Sequence, residues 1–436
     1  MKWALNLAYV SLLLMLSPVI IWRSLRHGRY RRGWKQKLFG SLPELSGDRP
    51  VIWFHAVSVG EVLQLQKVVE QFQIANGETY SIVITTSTDT GFDLAKERFA
   101  GCTVCWFPLD FSWSVRTAIR RINPKMVVLM ELELWPNFLA ACKDAGVRTS
   151  LINARMSDRS FSGYSRMSRL VRSLFADFSV VAAQNEQYAE RLKRLGTTSE
   201  RTIVTGSIKF DGVQTDRSNA ATQALRQLFD IGPDETVFIA GSTQSPEEQV
   251  ALDAWQALAA EYPKLRLIIV PRHKERFDDV AALAAKSGAS LHRRSQLKTD
   301  SVIDHRAVIL LDTIGELAAC WGLADIALVG GSFGSREGQN MLEPAAYGAA
   351  VMFGPRTRNF RDIVERLLNV NGAIRLQSTD DVAVQLRRLQ SDKEMRIRYG
   401  RTAQNLVIQQ KGALQRTIDM LQAELSPQVA PKRHAA

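Results

Sequence analysis

The stretch VIWFHAVSVGEVLQLQKVVEQFQI, residues 51–74, changes its hydrophobic period part-way along. Its first seven residues form an apolar, β-rich run. From Glu61 onward, Val62, Leu65, Val69 and Phe72 recur at helical spacing and share one face. A strand that enters a helix through a short Ser-Val-Gly link is the opening of a parallel βα unit. It also places the Glu61 carboxylate at the mouth of the helix. That position suits a cap on the helix dipole, worth a few tenths of a kcal/mol to about 1 kcal/mol, and it equally suits a catalytic carboxylate.

The same alternation runs outward in both directions. The segments YSIVITT, TVCWFPL, KMVVLME, VRTSLIN, FSVVAAQ and RTIVTGS complete a first half, and TVFIAGS, LRLIIVPRH, AVILLDT, ADIALVGGS and AVMFGP build a second. Polar residues from Asp211 to Thr222 interrupt the rhythm and place a linker near residue 211. The fold class is therefore α/β, with two Rossmann-like domains over residues 51–210 and 211–425, facing each other across a cleft, and a mobile tail over 426–436. A chain of 436 residues, 46% hydrophobic and 23% charged, can bury two such cores. Neither a G-x-G-x-x-G nor a P-loop is present. This argues against a dinucleotide dehydrogenase or an NTPase and leaves a nucleotide-sugar enzyme or another group transferase. Four cysteines make no disulfide framework, and Cys102 and Cys105 sit in a strand-like run as core residues.

The N-terminus departs from this pattern. Trp3 to Trp22 are almost uncharged over about 20 residues, the length of a membrane-crossing helix, and a basic segment follows, with Arg23, Arg26, Arg29, Arg31, Arg32, Lys35 and Lys37. Residues 1–22 read as an uncleaved membrane-anchor helix and 23–50 as a basic membrane-proximal segment. Positive charge on the C-terminal side predicts a catalytic body on the cytoplasmic side of the inner membrane. The alternative is a buried N-terminal helix of a soluble protein. A net charge of +12 calls for an anionic partner. Anionic membrane lipids suit it better than nucleic acid, for which no binding motif is present.

Polar residues gather after the strands. Ser58, Gly60 and Glu61 follow the first, Glu131 and Glu133 the fourth. In the second half, Gly241, Ser242 and Thr243 offer backbone amides for a phosphate. Arg272 and His273 end the next strand, Gly315 and Glu316 open a helix, and Asn340 and Glu343 follow a glycine-rich loop.

Taken in order, FHAVSVGEV, MELELWPN, INARMSDRS, VTGSIKFD, AGSTQSPEE, VPRHKERF, LLDTIGELA and LVGGSFGSREGQNMLEPAAYGAAVMFGP resemble the motifs of the 3-deoxy-D-manno-octulosonic acid (Kdo) transferases. The resemblance implies a GT-B glycosyltransferase at the bacterial inner membrane. It would move Kdo from CMP-Kdo to a lipid A precursor, lipid IVA, in lipopolysaccharide core biosynthesis. It puts the general base on Glu61, the CMP-binding face on Arg272, Gly315, Glu316, Asn340 and Glu343, and Lys209 toward the acidic sugar of the donor. Two positions depart from the family pattern: Gln339 stands where His is frequent, and Leu132 separates two glutamates where Thr is common. A donor with a single phosphate can be held by cationic side chains and helix N-termini, so no metal or other cofactor is expected. Two other readings remain open: a membrane-associated GT-B transferase with a different nucleotide sugar, and a silent binding protein on the same scaffold.

Overall fold

A computed structural model describes residues 2–27, 31–45, 47–298 and 300–426. Arg29 and residues 427–436 of the expected tail lie outside them. The chain divides into two compact units, Met1–Asp211 with Lys411–Ala436, and Gly212–Gln410.

The first unit carries a seven-stranded parallel sheet: β1 (Val51–His55), β2 (Ser81–Thr86), β3 (Thr103–Trp106), β4 (Pro124–Met130), β5 (Arg148–Ala154), β6 (Val180–Ala183) and β7 (Thr202–Val204). The spatial order β3-β2-β1-β4-β5-β6-β7 makes β1 and β4 neighbours. Chemistry borne by the loops after these two strands is thereby brought together. Successive residues of β1 enter opposite cores. Val51 and Trp53 pack with Phe138 and Leu151, whereas Ile52 and Phe54 pack with the helix Val59–Asn76 through Val62, Leu65, Val69 and Phe72. A strand covered on both faces needs an unbroken apolar run, which is why VIWFH contains so little alternation.

The second unit repeats the architecture with β8 (Thr236–Thr243), β9 (Leu265–Pro271), β10 (Leu291–Arg293), β11 (Val308–Leu310), β12 (Ile326–Val329), β13 (Ala350–Phe353) and β14 (Ala373–Arg375). Their order is β10-β11-β9-β8-β12-β13-β14. The sequence reading lacked β10 and β14. Both are three-residue edge strands, LHR and AIR, with too little buried surface to leave an apolar signature.

The last helix, Ala413–Leu425, does not stay with the second unit, where the reading of 211–425 as one domain had put it. Ile418, Met420, Leu421 and Leu425 close the core beneath β1 in the first unit. Asp211 fixes the return by accepting from the backbone N–H groups of Gly412, at 2.5 Å, and Leu414, at 2.6 Å. Burial of four large side chains, each worth about 1.5–3 kcal/mol, outweighs proximity along the chain.

At the other end, α1 (Lys2–His27) is a continuous helix with Pro18 inside it. Among the described residues no helix is long and apolar enough to cross a membrane. Its first turns are docked on the first unit rather than free-standing. Asn6, only 5% exposed, donates to Ser112 Oγ at 2.7 Å and accepts from Ser112 N–H at 3.0 Å and Asn137 Nδ2 at 3.3 Å. Tyr9 Oη donates to Asp110 Oδ2 at 3.0 Å. Asp110 in turn accepts from the Asn137 and Phe138 amides at the start of the helix Pro136–Asp144. Its carboxyl, pushed up to about 6 by burial, ties α1 to the loop that follows β4. Asn6, a mild polar interruption of the apolar run, is one of the contacts that hold the helix to the body, with Tyr9 the other.

Candidate active site

In the first unit the loop after β1 leads into the helix Val59–Asn76. Ser58 caps it: its Oγ accepts from Glu61 N–H at 3.4 Å and donates to Glu61 Oε1 at 2.8 Å, while Val57 N–H donates to Oε2 at 3.0 Å. Glu61 thus belongs to a capping box, the bland reading of its position. Two donors still leave lone pairs on both oxygens, since a carboxylate accepts about four hydrogen bonds. The neighbouring Gly60 is exposed, and a Cβ placed there would meet nothing nearer than Ser58 Oγ, at 3.9 Å. Packing does not demand a glycine here.

The turn after β4 supplies the other acidic groups. Glu131 adopts φ 55, a left-handed conformation that costs a non-glycine residue roughly 1 kcal/mol or more. Its amide donates to Ile152 O at 3.0 Å. Glu133 Oε2 accepts from Trp135 Nε1 at 2.7 Å. Burial raises the Glu61 carboxyl, against the lowering pull of its Val57 and Ser58 hydrogen bonds, and the Glu131 charge adds to the rise. Burial, reinforced by the Glu61 charge, pushes Glu133 up to about 7. Ser58, Gly60, Glu61, Glu131 and Glu133 are therefore gathered at one end of one sheet.

The position of Glu133 carries a pH signature. A carboxyl raised from 4.5 to about 7 on folding holds its proton more tightly in the folded chain, so stability falls as pH rises through that window. Glu133→Gln removes the charge and keeps an oxygen for the Trp135 N–H. At pH 8 the variant is expected to be more stable by about 1–3 kcal/mol, with the gain vanishing below pH about 4.5. Denaturant unfolding at both pH values checks this, and a destabilised variant at pH 8 would contradict it.

Three residues that the sequence did not single out support this site. Trp135 orients Glu133. His55 is fully buried, stacks on Phe107 with ring centroids 3.8 Å apart, and is held neutral by burial, which lowers it to about 3. Asn153, at φ 52, donates to Gln64 Oε1 at 3.0 Å and accepts from Ile208 N–H at 3.2 Å, fixing the turn Ile208–Phe210 that carries Lys209. Lys209 consequently belongs to the first unit, apart from the other expected donor residues.

In the second unit, Gly241, Ser242 and Thr243 are not an open phosphate cradle. They are the buried end of β8, and a Cβ on Gly241 would lie 2.5 Å from the Trp321 ring. The amides that do converge on an anion nearby converge on Glu247, which accepts from Gln244, Gly331, Ser332 and Phe333 N–H groups at 2.7–3.1 Å. The carboxylate of the chain itself fills that nest. Beyond β9, Arg272 and His273 are exposed, with the Arg272 amide bonded to Thr243 O at 3.0 Å. Gly315, at φ 93, precedes Glu316, which pairs with Arg294 at 2.8 Å and accepts from Thr313 Oγ1. Arg294, Gly315 and Glu316 line a pocket of about 480 Å³. Asn340 Nδ2 donates to Glu343 Oε1 at 3.0 Å while its Oδ1 accepts from Leu342 N–H at 3.1 Å, so these two residues act as one unit.

Residues 31–212 match the family model described as 3-deoxy-D-manno-octulosonic-acid transferase (kdotransferase). Over 428 residues the chain is 35% identical to the 3-deoxy-D-manno-octulosonic acid transferase of Haemophilus influenzae, covering 97% of this chain and 99% of that one. The chain belongs to the Kdo transferase family. The Bordetella pertussis 3-deoxy-D-manno-octulosonic acid transferase is 31% identical over 381 residues, 85% of this chain and 86% of its own. A Neisseria meningitidis UDP-GlcNAc 2-epimerase structure aligns at a TM-score of 0.56 with 14% identity, over 86% of this chain and 100% of that chain; at that identity it speaks for the two-Rossmann, GT-B-like fold alone. As a Kdo transferase the protein is a glycosyltransferase.

Proposed function

We propose that this Kdo transferase moves Kdo from CMP-Kdo to a lipid A precursor such as lipid IVA with inversion at the anomeric carbon, Glu61 taking the proton of the attacking sugar hydroxyl. The observation that carries the assignment is the Glu61 carboxylate, fixed by Val57 N–H and Ser58 Oγ and raised by burial. A base in that state is both oriented and more basic than an ordinary glutamate. Glu131 and Glu133 would hold the acceptor. Arg272, Gly315, Glu316, Asn340 and Glu343 would hold CMP, with the exposed Arg272 guanidinium meeting the phosphate, and Lys209 the donor carboxylate. A monophosphate leaving group held by such donors needs no divalent ion. Addition of CMP is expected to raise the melting temperature while UDP leaves it unchanged; protection by UDP alone would favour a transferase with another nucleotide sugar.

The docked α1 supports a place on the cytoplasmic face of the inner membrane. Trp3, Leu7, Met15, Ile21, Trp22 and Leu25 are more than half exposed, far more apolar surface than one helix normally shows to water. The helix would lie in the interface with its outward face in lipid, and the basic residues after it would meet anionic headgroups. A chain beginning at residue 31 is expected to stay in solution when mixed with anionic vesicles that sediment the full chain. Equal sedimentation would remove α1 from membrane binding.

A further inference from the structure

An apolar pocket of about 530 Å³ lies within the first unit, between α1 and the acidic site. Leu13, Leu16 and Val19 of α1 form one side, and Phe107, Leu109 and Trp135 are among the residues forming the rest. Glu133 and Lys37 are also in its wall. The volume is that of a site for a small apolar ligand, yet the wall includes a carboxylate whose charge is coupled to Glu61. A molecule that fits must be apolar over most of the buried length and polar where it meets Glu133. The side chains of α1 on the outer surface are apolar as well, Leu12 at 48% and Met15 at 70% exposure, so hydrocarbon can reach the pocket along the helix. Lys37, whose amine lies 3.7 Å over the Trp106 ring, supplies positive charge for an anionic headgroup.

We infer that this pocket binds one acyl chain of the lipid acceptor, with α1 as one wall, so that the N-terminal helix is part of the acceptor site and not only a membrane contact. The inference rests on the proposed lipid acceptor. It assigns to Leu13, Leu16 and Val19 the task of positioning the lipid so that its sugar lies beside Glu61. An acyl chain leaving water for such a pocket gains about 0.8 kcal/mol per methylene, or roughly fourfold in affinity.

The test uses the full chain, CMP-Kdo, and acceptor analogues that each carry one short acyl chain, below their micelle-forming concentrations. For the unmodified protein kcat/KM is expected to rise about fourfold per added methylene, through KM, until the pocket is full. Leu16, 42% exposed, can be changed without opening the core. Leu16→Asp is expected to flatten the dependence on chain length, and Leu16→Trp to move the plateau to shorter chains, with CMP binding unchanged in both. An unchanged length dependence in both variants, or a loss that is equal at every chain length, overturns the inference. Failure of the unmodified protein to turn over any acceptor with CMP-Kdo would instead overturn the proposed function, lipid acceptor included, on which the inference rests.

Discussion

Glu61→Gln is expected to lower turnover by about 100-fold to 10,000-fold while leaving CMP affinity unchanged. The substituted amide retains one oxygen, which can accept from either Ser58 Oγ or Val57 N–H, and its NH₂ cannot take a proton from an attacking hydroxyl. The capping box makes the competing outcome concrete. If Glu61 only secures the start of the helix Val59–Asn76, the variant loses on the order of 0.5–1 kcal/mol of stability and keeps its turnover. Turnover and unfolding free energy measured on the same preparation separate the two. A rate within a few-fold of the parent, with the stability loss, would remove Glu61 as the base.

The second large effect is expected at Arg272. Its side chain is exposed and makes no ion pair among the described residues, unlike Arg294, which is committed to Glu316. Arg272→Ala should therefore leave folding intact and weaken CMP binding by about 1.5–3 kcal/mol, roughly 10- to 150-fold, if the guanidinium makes a charge-assisted hydrogen bond to the phosphate. Titration calorimetry with CMP reads this directly. Unchanged affinity in the folded variant would place the phosphate elsewhere.

How much of this was legible in the residues differs from element to element. The central strands were readable because a parallel strand buried on both faces must be largely apolar, as VIWFH and LRLIIVP are apart from the buried His55 and Arg266. The edge strands LHR and AIR bury too little to show. The last helix could not be assigned by position along the chain, since its docking depends on Ile418 and Leu421 meeting a core built from residues far earlier in the sequence. For α1, hydropathy passed over Asn6 as a mild interruption and gave Tyr9 no role, and only the fold shows that Asn137 and Asp110 meet them. The candidate site divides in the same way. Glu61, Glu131 and Glu133 were legible as residues following strands, and the adjacency of β1 and β4 unites them. Gly241, Ser242 and Thr243 looked like a cradle because small residues after a strand usually mark a loop, whereas here the strand continues and Trp321 occupies the space beside the glycine. Trp135 and Asn153 act through the orientation of other side chains, a role that leaves no pattern in a single sequence.

The central claim is most directly tested by incubating the full chain with CMP-Kdo and a lipid A precursor and determining the mass of the lipid product. The expected result is acceptor enlarged by Kdo, with one CMP released for each sugar transferred. Intact CMP-Kdo and unmodified acceptor, from a folded protein that consumes a UDP-sugar under the same conditions, would contradict it.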